Sequence, residues 1–299
     1  MPATPSPPRA TVLGTGAMGP EIAAALAAAG HRVVIAGRDA GRALAARDRA
    51  LALLGRDGPV SDAPIGPDAL AGAALVVETI VEDLAAKREL LARAEAWCPP
   101  DAVIATNTSS LRIGDLAAAL ARPERFAGLH FLKPAHQTAV VEIVPGPATD
   151  AAVVAALREV AGRMGKAPLV VRADVPGFIW NRIQFAVLRE CLHMLEAGVA
   201  DAADIDAAVS DGLAPRWMAA GPLATADLGG LRTFAAVAAQ LFPELSAARA
   251  PQGALLDRAA GGDVFAPWTG AAGEEVARLR ARALEMGREV AARRRKLGA

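Results

Sequence analysis

Six residues near the start of this 299-residue chain leave it few folds to choose from. Gly14-Thr15-Gly16-Ala17-Met18-Gly19 follows a short apolar run, Ala10–Leu13, and leads straight into the alanine-rich helical segment Pro20–Ala29. A G-x-G-x-x-G sequence between a strand and a helix serves three ends at once. Its first glycine permits a tight turn, its second lets the backbone approach a pyrophosphate, and its third lets the helix pack on the strand. The first N–H groups of a helix have no partners inside it and attract an anion. Gly14, Gly16, Met18 and Gly19 are therefore candidate contacts to a dinucleotide.

The pattern downstream agrees. Arg32–Ala36 reads as a second strand, Ala40–Leu54 as a helix, and Leu75–Glu78 and Ala102–Ala105 as further strands, each followed by a helical or capped segment. Gly41–Ala73 has room for one helix and a Pro/Gly-rich loop. Strands alternating with helices over short connections imply βαβ units and an α/β, doubly wound parallel sheet. The pattern changes near Arg172. Asp174-Val175-Pro176-Gly177 signals a turn, and helical spacing then runs from Phe178 to Glu196 with Gly198 as a C-terminal stop. Asp201–Val209, Leu231–Leu241 and Glu274–Arg295 continue in the same way. We divide the chain into an α/β domain over 1–173, with 1–9 as a disordered tail, and an all-helical domain over 174–299.

An acidic residue about 20 positions beyond the glycines ordinarily accepts hydrogen bonds from the adenosine ribose. Here Gly37 stands at the end of the second strand, followed by Arg38 and Asp39. A carboxylate would repel a 2′-phosphate, whereas glycine leaves room and Arg38 can pair with it. The residues thus favour NADP over NAD, unless Asp39 takes the acid's part.

Charge and composition exclude several roles. Lysine plus arginine equal aspartate plus glutamate at 32 each, so nothing electrostatic points to nucleic acid or an anionic membrane. No apolar run approaches the roughly 20 residues that span a bilayer. Met1–Arg9 carries four prolines and no apolar centre, unlike a secretory signal. Cys98 and Cys191 read as free thiols of a reducing compartment, which makes the expected setting the cytoplasm. The four histidines show no ligand spacing, so no metal is expected. The basic run from Arg278 to Lys296 reads as a solvated helix, with docking of an acyl carrier as the sharper alternative.

The chemistry-bearing residues fall after the fourth strand. They are Asn107-Thr108-Ser109-Ser110, then His130-Phe131-Leu132-Lys133-Pro134, Val141-Glu142-Ile143, and Pro176–Arg182. A hydride leaving a carbinol carbon requires a base for the hydroxyl proton, and the reverse reaction requires an acid; one histidine can serve both. Glu142 can fix the His130 tautomer, and Ser109 and Asn181 can donate to the reacting oxygen. Ser109 and Ser110 can equally cap a helix starting near Leu111.

From about Thr11 to Leu231 these residues resemble the 3-hydroxyacyl-CoA dehydrogenase family. The resemblance rests on Gly14–Gly19, Val76–Glu82, Asn107–Leu111, Arg125–Phe131, Val141-Glu142 and Pro176–Arg182. It implies a Rossmann-like front domain and a helical rear domain that forms a homodimer. It also implies His130 as general acid/base with Glu142 as partner, Ser109 and Asn181 as polar contacts in the active site, and Glu82 and Lys87 near the nicotinamide. The rear half is similar to the L-gulonate 3-dehydrogenase and lambda-crystallin branch through Asn181–Ala186, Glu196–Val199, Asp211–Leu213, Arg216-Trp217 and Gly221–Leu228.

Three departures bear on substrate. Lys133 stands where the family has asparagine, and could meet a substrate carboxylate. The stretch after the second strand lacks the family's long helical hairpin, which helps to hold the CoA nucleotide. The late segment Gly261–Trp268 lacks an evident lysine to reach the cofactor. The resemblance implies a 3-hydroxy/3-keto acyl thioester on CoA or a carrier protein. A small free hydroxy acid is the alternative, and a non-catalytic cofactor-binding protein is a third.

Overall fold

The computed structural model describes residues 7–260 and 273–296. Most of the expected tail, and the Gly261–Trp268 segment, lie outside the described residues. By its contacts the chain divides between Asn181 and Arg182, inside the first turn of a helix.

The first unit runs β1 (Arg9–Leu13), α1 (Met18–Ala28), β2 (Arg32–Gly37), α2 (Ala40–Leu54), β3 (Val60–Pro64), α3 (Pro67–Leu70), β4 (Leu75–Glu78), α4 (Leu84–Trp97), β5 (Val103–Thr106), α5 (Ile113–Ala117), β6 (Phe126–Phe131), β7 (Val140–Pro145), α6 (Ala151–Arg163) and β8 (Ala167–Val170), and ends in the first turn of α7 (Trp180–Glu196). One sheet carries the order β3-β2-β1-β4-β5-β6-β7-β8. It reverses direction between β1 and β4, the crevice where doubly wound sheets bind ligands. β4 and β6 are buried at every residue, as expected of strands covered on both faces. One face packs apolar residues of α1, α2 and α6, among them Ile22, Leu26, Ala46 and Leu157. The other packs Leu70, Leu91, Leu116 and Phe178 from α3, α4, α5 and the approach to α7.

Two features differ from the sequence reading. Val60–Pro64 is an edge strand paired in parallel with β2, not part of a loop. Its sequence, Val-Ser-Asp-Ala-Pro, lacks an apolar run because only Val60 is buried, and an edge strand tolerates proline. The sheet is also not parallel throughout: β6 and β7 are antiparallel. The link from Phe131 to Val140 is too short for a parallel crossover, which needs about a dozen residues or more. That reversal sets His130 directly opposite Glu142.

The second unit is helical. It holds the rest of α7, then α8 (Ala202–Ala207), α9 (Ala214–Ala219), α10 (Pro222–Gly229), α11 (Leu231–Leu241), α12 (Gly253–Ala259) and α13 (Gly273–Lys296). Gly198, in the left-handed region at φ 67°, ends α7. Glu196 accepts from Ala254 N and Glu190 from Ser246 N, tying α7 to the following helices of this unit. No helix among the described residues is long and apolar enough to cross a membrane.

Gly128 tests how tightly β6 is held. A Cβ there would sit 2.9 Å from both Ile113 Cδ1 and Val144 Cβ. We expect Gly128→Ala to lower the urea unfolding free energy by about 1–3 kcal/mol, as overpacking does. An unchanged midpoint would show that Ile113 simply moves aside.

Candidate active site

The glycine loop is shaped by clashes that side chains would create. Gly14 has φ 136°, and a Cβ on it would lie 2.5 Å from the Thr79 carbonyl oxygen. A Cβ on Gly19 would collide with the Gly14 carbonyl. Gly16, by contrast, is exposed and has nothing within 4 Å of its Cβ position. It lines a cleft of about 890 Å³ together with Gly14, Thr15, Ala17, Met18, Arg38, Arg42, Ile65, Glu82, Asn107 and Ser109. No side chain caps the start of α1, and Arg49 Nη2 holds the Thr15 carbonyl at 2.8 Å. An open glycine, an uncapped helix start and a cleft at the strand reversal fit a dinucleotide pyrophosphate.

At the far end of β2, Arg38 lines this cleft and Asp39 does not. Asp39 is the N-cap of α2, its Oδ1 accepting from Arg42 N at 2.8 Å. One oxygen of the acid that could stand in for a ribose acceptor is thus engaged by the helix.

Glu82 also lines the cleft. Its Oε1 accepts from Thr108 Oγ1 at 2.6 Å, Ser109 N at 2.8 Å, and Ser110 N and Oγ at 2.9 Å. Burial pushes this carboxyl up, but those hydrogen bonds and the Lys87 charge outweigh it and hold it below the usual range. Ser110, through its N–H and hydroxyl, and Ser109, through its N–H, therefore bond Glu82, while the N–H of Leu111 goes to Thr108 Oγ1 at 3.1 Å. The α5 N–H groups of Ile113 and Gly114 go instead to Asp174, at 2.9 and 2.8 Å. Lys87 is only 1% exposed and does not line the cleft. Its ammonium lies 2.8 Å from Glu78 Oε1 and 3.4 Å from Glu82 Oε2, behind the wall that Glu82 presents. Glu78 is fully buried and also accepts from Thr106 Oγ1 and Ile80 N, both at 2.6 Å.

His130 and Glu142 meet across the β6–β7 ladder, Nδ1 to Oε2 at 2.6 Å. The other oxygen, Oε1, accepts from Ile179 N at 2.8 Å and Trp180 N at 2.9 Å. Gly177 and Phe178 both hold positive φ, 76° and 51°, and so turn the two following N–H groups onto that oxygen. A non-glycine residue in this region carries strain that its surroundings must sustain. Here the buried Phe178 ring packs edge-on against His130, centroids 5.5 Å apart. Burial pushes the Glu142 carboxyl up; the hydrogen bonds from His130, Trp180 and Ile179 more than reverse this and hold it below the ordinary value. A carboxylate facing Nδ1 favours the tautomer with the proton on Nδ1. Nε2 has no hydrogen-bond partner among the described residues. His130 itself is not among the residues lining the cleft.

One step further along the same segment, Asn181 Nδ2 donates to the Ser109 carbonyl at 3.0 Å. The chain 178–181 thus links the His130–Glu142 pair to the serine turn at the cleft. Lys133 is exposed in the connection between β6 and β7. Asn107 was quoted in the sequence only as part of a motif. It lines the cleft, and its Oδ1 receives Phe131 N at 2.8 Å while Nδ2 reaches Thr79 Oγ1 at 3.3 Å. Its place just past the carboxyl end of β5 was the available signal. Among the described residues, no three His, Cys, Asp or Glu side chains converge as a metal site.

The profile of the 3-hydroxyacyl-CoA dehydrogenase NAD binding domain matches residues 65–175, and that of the 3-hydroxyacyl-CoA dehydrogenase C-terminal domain matches residues 177–265. The chain belongs to the 3-hydroxyacyl-CoA dehydrogenase family. Among relatives, the 5-formyl-3-hydroxy-2-methylpyridine 4-carboxylate 5-dehydrogenase of Mesorhizobium japonicum is 34% identical over 252 residues, 79% of this chain and 80% of that protein. The 3-hydroxybutyryl-CoA dehydrogenase of Mycobacterium tuberculosis is 36% identical over 258 residues, covering 79% and 87%. The crystal structure of a 5-formyl-3-hydroxy-2-methylpyridine 4-carboxylic acid 5-dehydrogenase, described as an NAD+-dependent dismutase, superposes with a TM-score of 0.82 at 30% identity over 98% of this chain and 99% of that one. This 3-hydroxyacyl-CoA dehydrogenase family member is accordingly an NAD-binding oxidoreductase acting on CH–OH groups.

The lowered carboxyls make a pH prediction. A carboxyl held below its ordinary value of about 4.5 stabilises the fold fully above that value, and the contribution disappears as pH falls through the lower, folded value. Urea midpoints of the native protein should therefore fall as pH drops below about 4.5, and Glu142→Gln should flatten that acid limb. An acid limb equally steep in the variant would assign it to other carboxylates.

Proposed function

We propose that this chain is an NAD(P)-dependent dehydrogenase that interconverts a 3-hydroxy and a 3-keto acyl or acid substrate, with His130 as general acid/base. The observation that carries this reading is the buried His130–Glu142 pair, 2.6 Å apart with Nε2 free of hydrogen bonds to the described residues. The bound coenzyme supplies or accepts the hydride. His130 Nε2 takes the hydroxyl proton during oxidation and returns it during reduction, while Glu142 holds the ring and balances its charge. Ser109 and Asn181 contribute hydrogen bonds to the reacting oxygen. Glu82 faces the nicotinamide end, backed by Lys87. Gly14, Gly16, Met18 and Gly19 hold the pyrophosphate, and Arg38 favours NADP over NAD.

Two substrates compete. The front-domain motifs and the hydroxybutyryl-CoA relatives support a thioester. The chain between β2 and β4 supports a small free acid, and the geometry favours this second reading. There α2 is followed only by the short β3 and the four-residue α3, with no helical hairpin to cover a CoA nucleotide. The likeness to an enzyme named for a pyridine carboxylate agrees with it. Lys133 is then the candidate partner for the substrate carboxylate.

We further propose a cytoplasmic homodimer. The helical unit displays Leu223, Leu228 and Phe242, each more than 70% exposed, apolar side chains that a second copy would cover. Light scattering at a single monomer mass would refute the dimer.

His130→Ala should reduce turnover by about 10²–10⁴-fold, the worth of a positioned acid/base, with coenzyme binding intact by fluorescence titration. Near-normal turnover would end the assignment of proton transfer to this ring. The substrate class is read by following NADPH and NADH absorbance with acetoacetyl-CoA, an acyl-carrier thioester and small hydroxy acids. Activity confined to CoA esters would refute the free-acid reading.

A further inference from the structure

We infer that Arg38 and Arg42 together form a seat for the 2′-phosphate of a phosphorylated nicotinamide dinucleotide, with Arg42 the specificity residue that completes it. This rests on the cleft being the dinucleotide site, and goes beyond that reading by assigning a second cation.

Both guanidinium groups belong to residues lining the cleft, at the end of β2 and in the first turn of α2. Neither has an ion-pair or hydrogen-bond partner through its side chain among the described residues. Other arginines nearby are committed. Arg47 pairs with Asp48 and Asp62 at 2.7 and 2.8 Å. Arg93, also in the cleft wall, lies 3.6 Å from Glu89 and over the Trp97 ring at 4.9 Å. Both residues are exposed in the cleft wall, within reach of solvent and of a ligand, and guanidinium forks suit phosphate oxygens.

At the end of β2 the residues lining the cleft, Gly37 and Arg38, include no acid that would favour an unphosphorylated ribose. At Gly37 a Cβ would stand 2.7 Å from Thr15 Cγ2, so an acid there would require the Thr15 side chain to shift. Asp39 is turned to the helix, where its Oδ1 takes the Arg42 N–H at 2.8 Å. The Arg42 backbone thus engages one Asp39 oxygen, and the Arg42 side chain is left for the ligand. Nothing in the sequence separates Arg42 from the other arginines of α2; the fold does, by placing it in the cleft wall.

The test measures binding, not turnover. The full chain and its Arg38→Ala, Arg42→Ala and Asp39→Asn variants are titrated with NADPH and NADH by coenzyme fluorescence, with adenosine 2′,5′-bisphosphate and adenosine 5′-monophosphate as displacing probes. Each arginine variant should weaken NADPH and the bisphosphate by about 10- to 100-fold, the worth of a hydrogen bond to a charged group, and leave NADH and the monophosphate within about 3-fold. Asp39→Asn keeps a good cap and should leave the NADPH to NADH ratio within about 3-fold. An unchanged ratio in Arg42→Ala overturns the inference. So does a tenfold loss of NADH affinity in Asp39→Asn, which would make Asp39 the ribose acceptor. If the native chain binds both coenzymes without preference, the phosphate seat falls and the dehydrogenase reading stands. If it binds neither, both fall.

Discussion

A carboxylate with no access to water is the constraint around which this site is built. Glu142 is fully buried, and a buried charge is tolerated only when its oxygens are hydrogen-bonded. The protein provides three donors from two directions. One is His130, delivered by strand pairing; the other two are consecutive backbone N–H groups, delivered by a left-handed turn at Gly177 and Phe178. Each fixes something besides the charge. The first favours one imidazole tautomer. The second sets where α7 starts, and so where Asn181 stands relative to Ser109.

A second buried charge cluster performs a similar service at the cleft. Glu78, Lys87, Thr106 and Glu82 are joined by short contacts that run from the end of β4 to the serine turn after β5. A buried ion pair is poor evidence of stability but good evidence of fixed geometry when every oxygen is satisfied. Glu82 gathers four donors on one oxygen, so the backbone around Ser109 has little freedom. Polar connections therefore reach from the His130 ring to the cleft wall at Glu82 and Ser109.

Function follows from how these networks sit on the sheet. The strand reversal opens a crevice beside β1, and the glycine loop keeps its floor free of side chains. The antiparallel β6–β7 pair brings the His130–Glu142 pair beside β5, whose end carries the serine turn. The compact stretch between β2 and β4 leaves Arg38 and Arg42 in the cleft wall, with only the short β3 and the four-residue α3 following α2.

Much of this was written locally in the chain. The glycine loop, the bounds of α2, β4 and α11, and the motifs that bring His130 to Glu142 and Asn181 to Ser109 are legible because each follows from short-range periodicity or from a residue type at a fixed place in a motif. The edge strand β3 was not, since a half-exposed strand carries no apolar signature. Nor was the parting of Arg38 from Asp39, the withdrawal of Lys87 behind Glu82, or the place of Arg42 in the cleft wall. Those depend on which neighbour satisfies a charge, and the competing partners lie on different strands and helices, brought within reach only when the sheet closes. Sequence by itself determined that a nicotinamide chemistry could be housed here; tertiary packing decided which charged groups were left over to perform it.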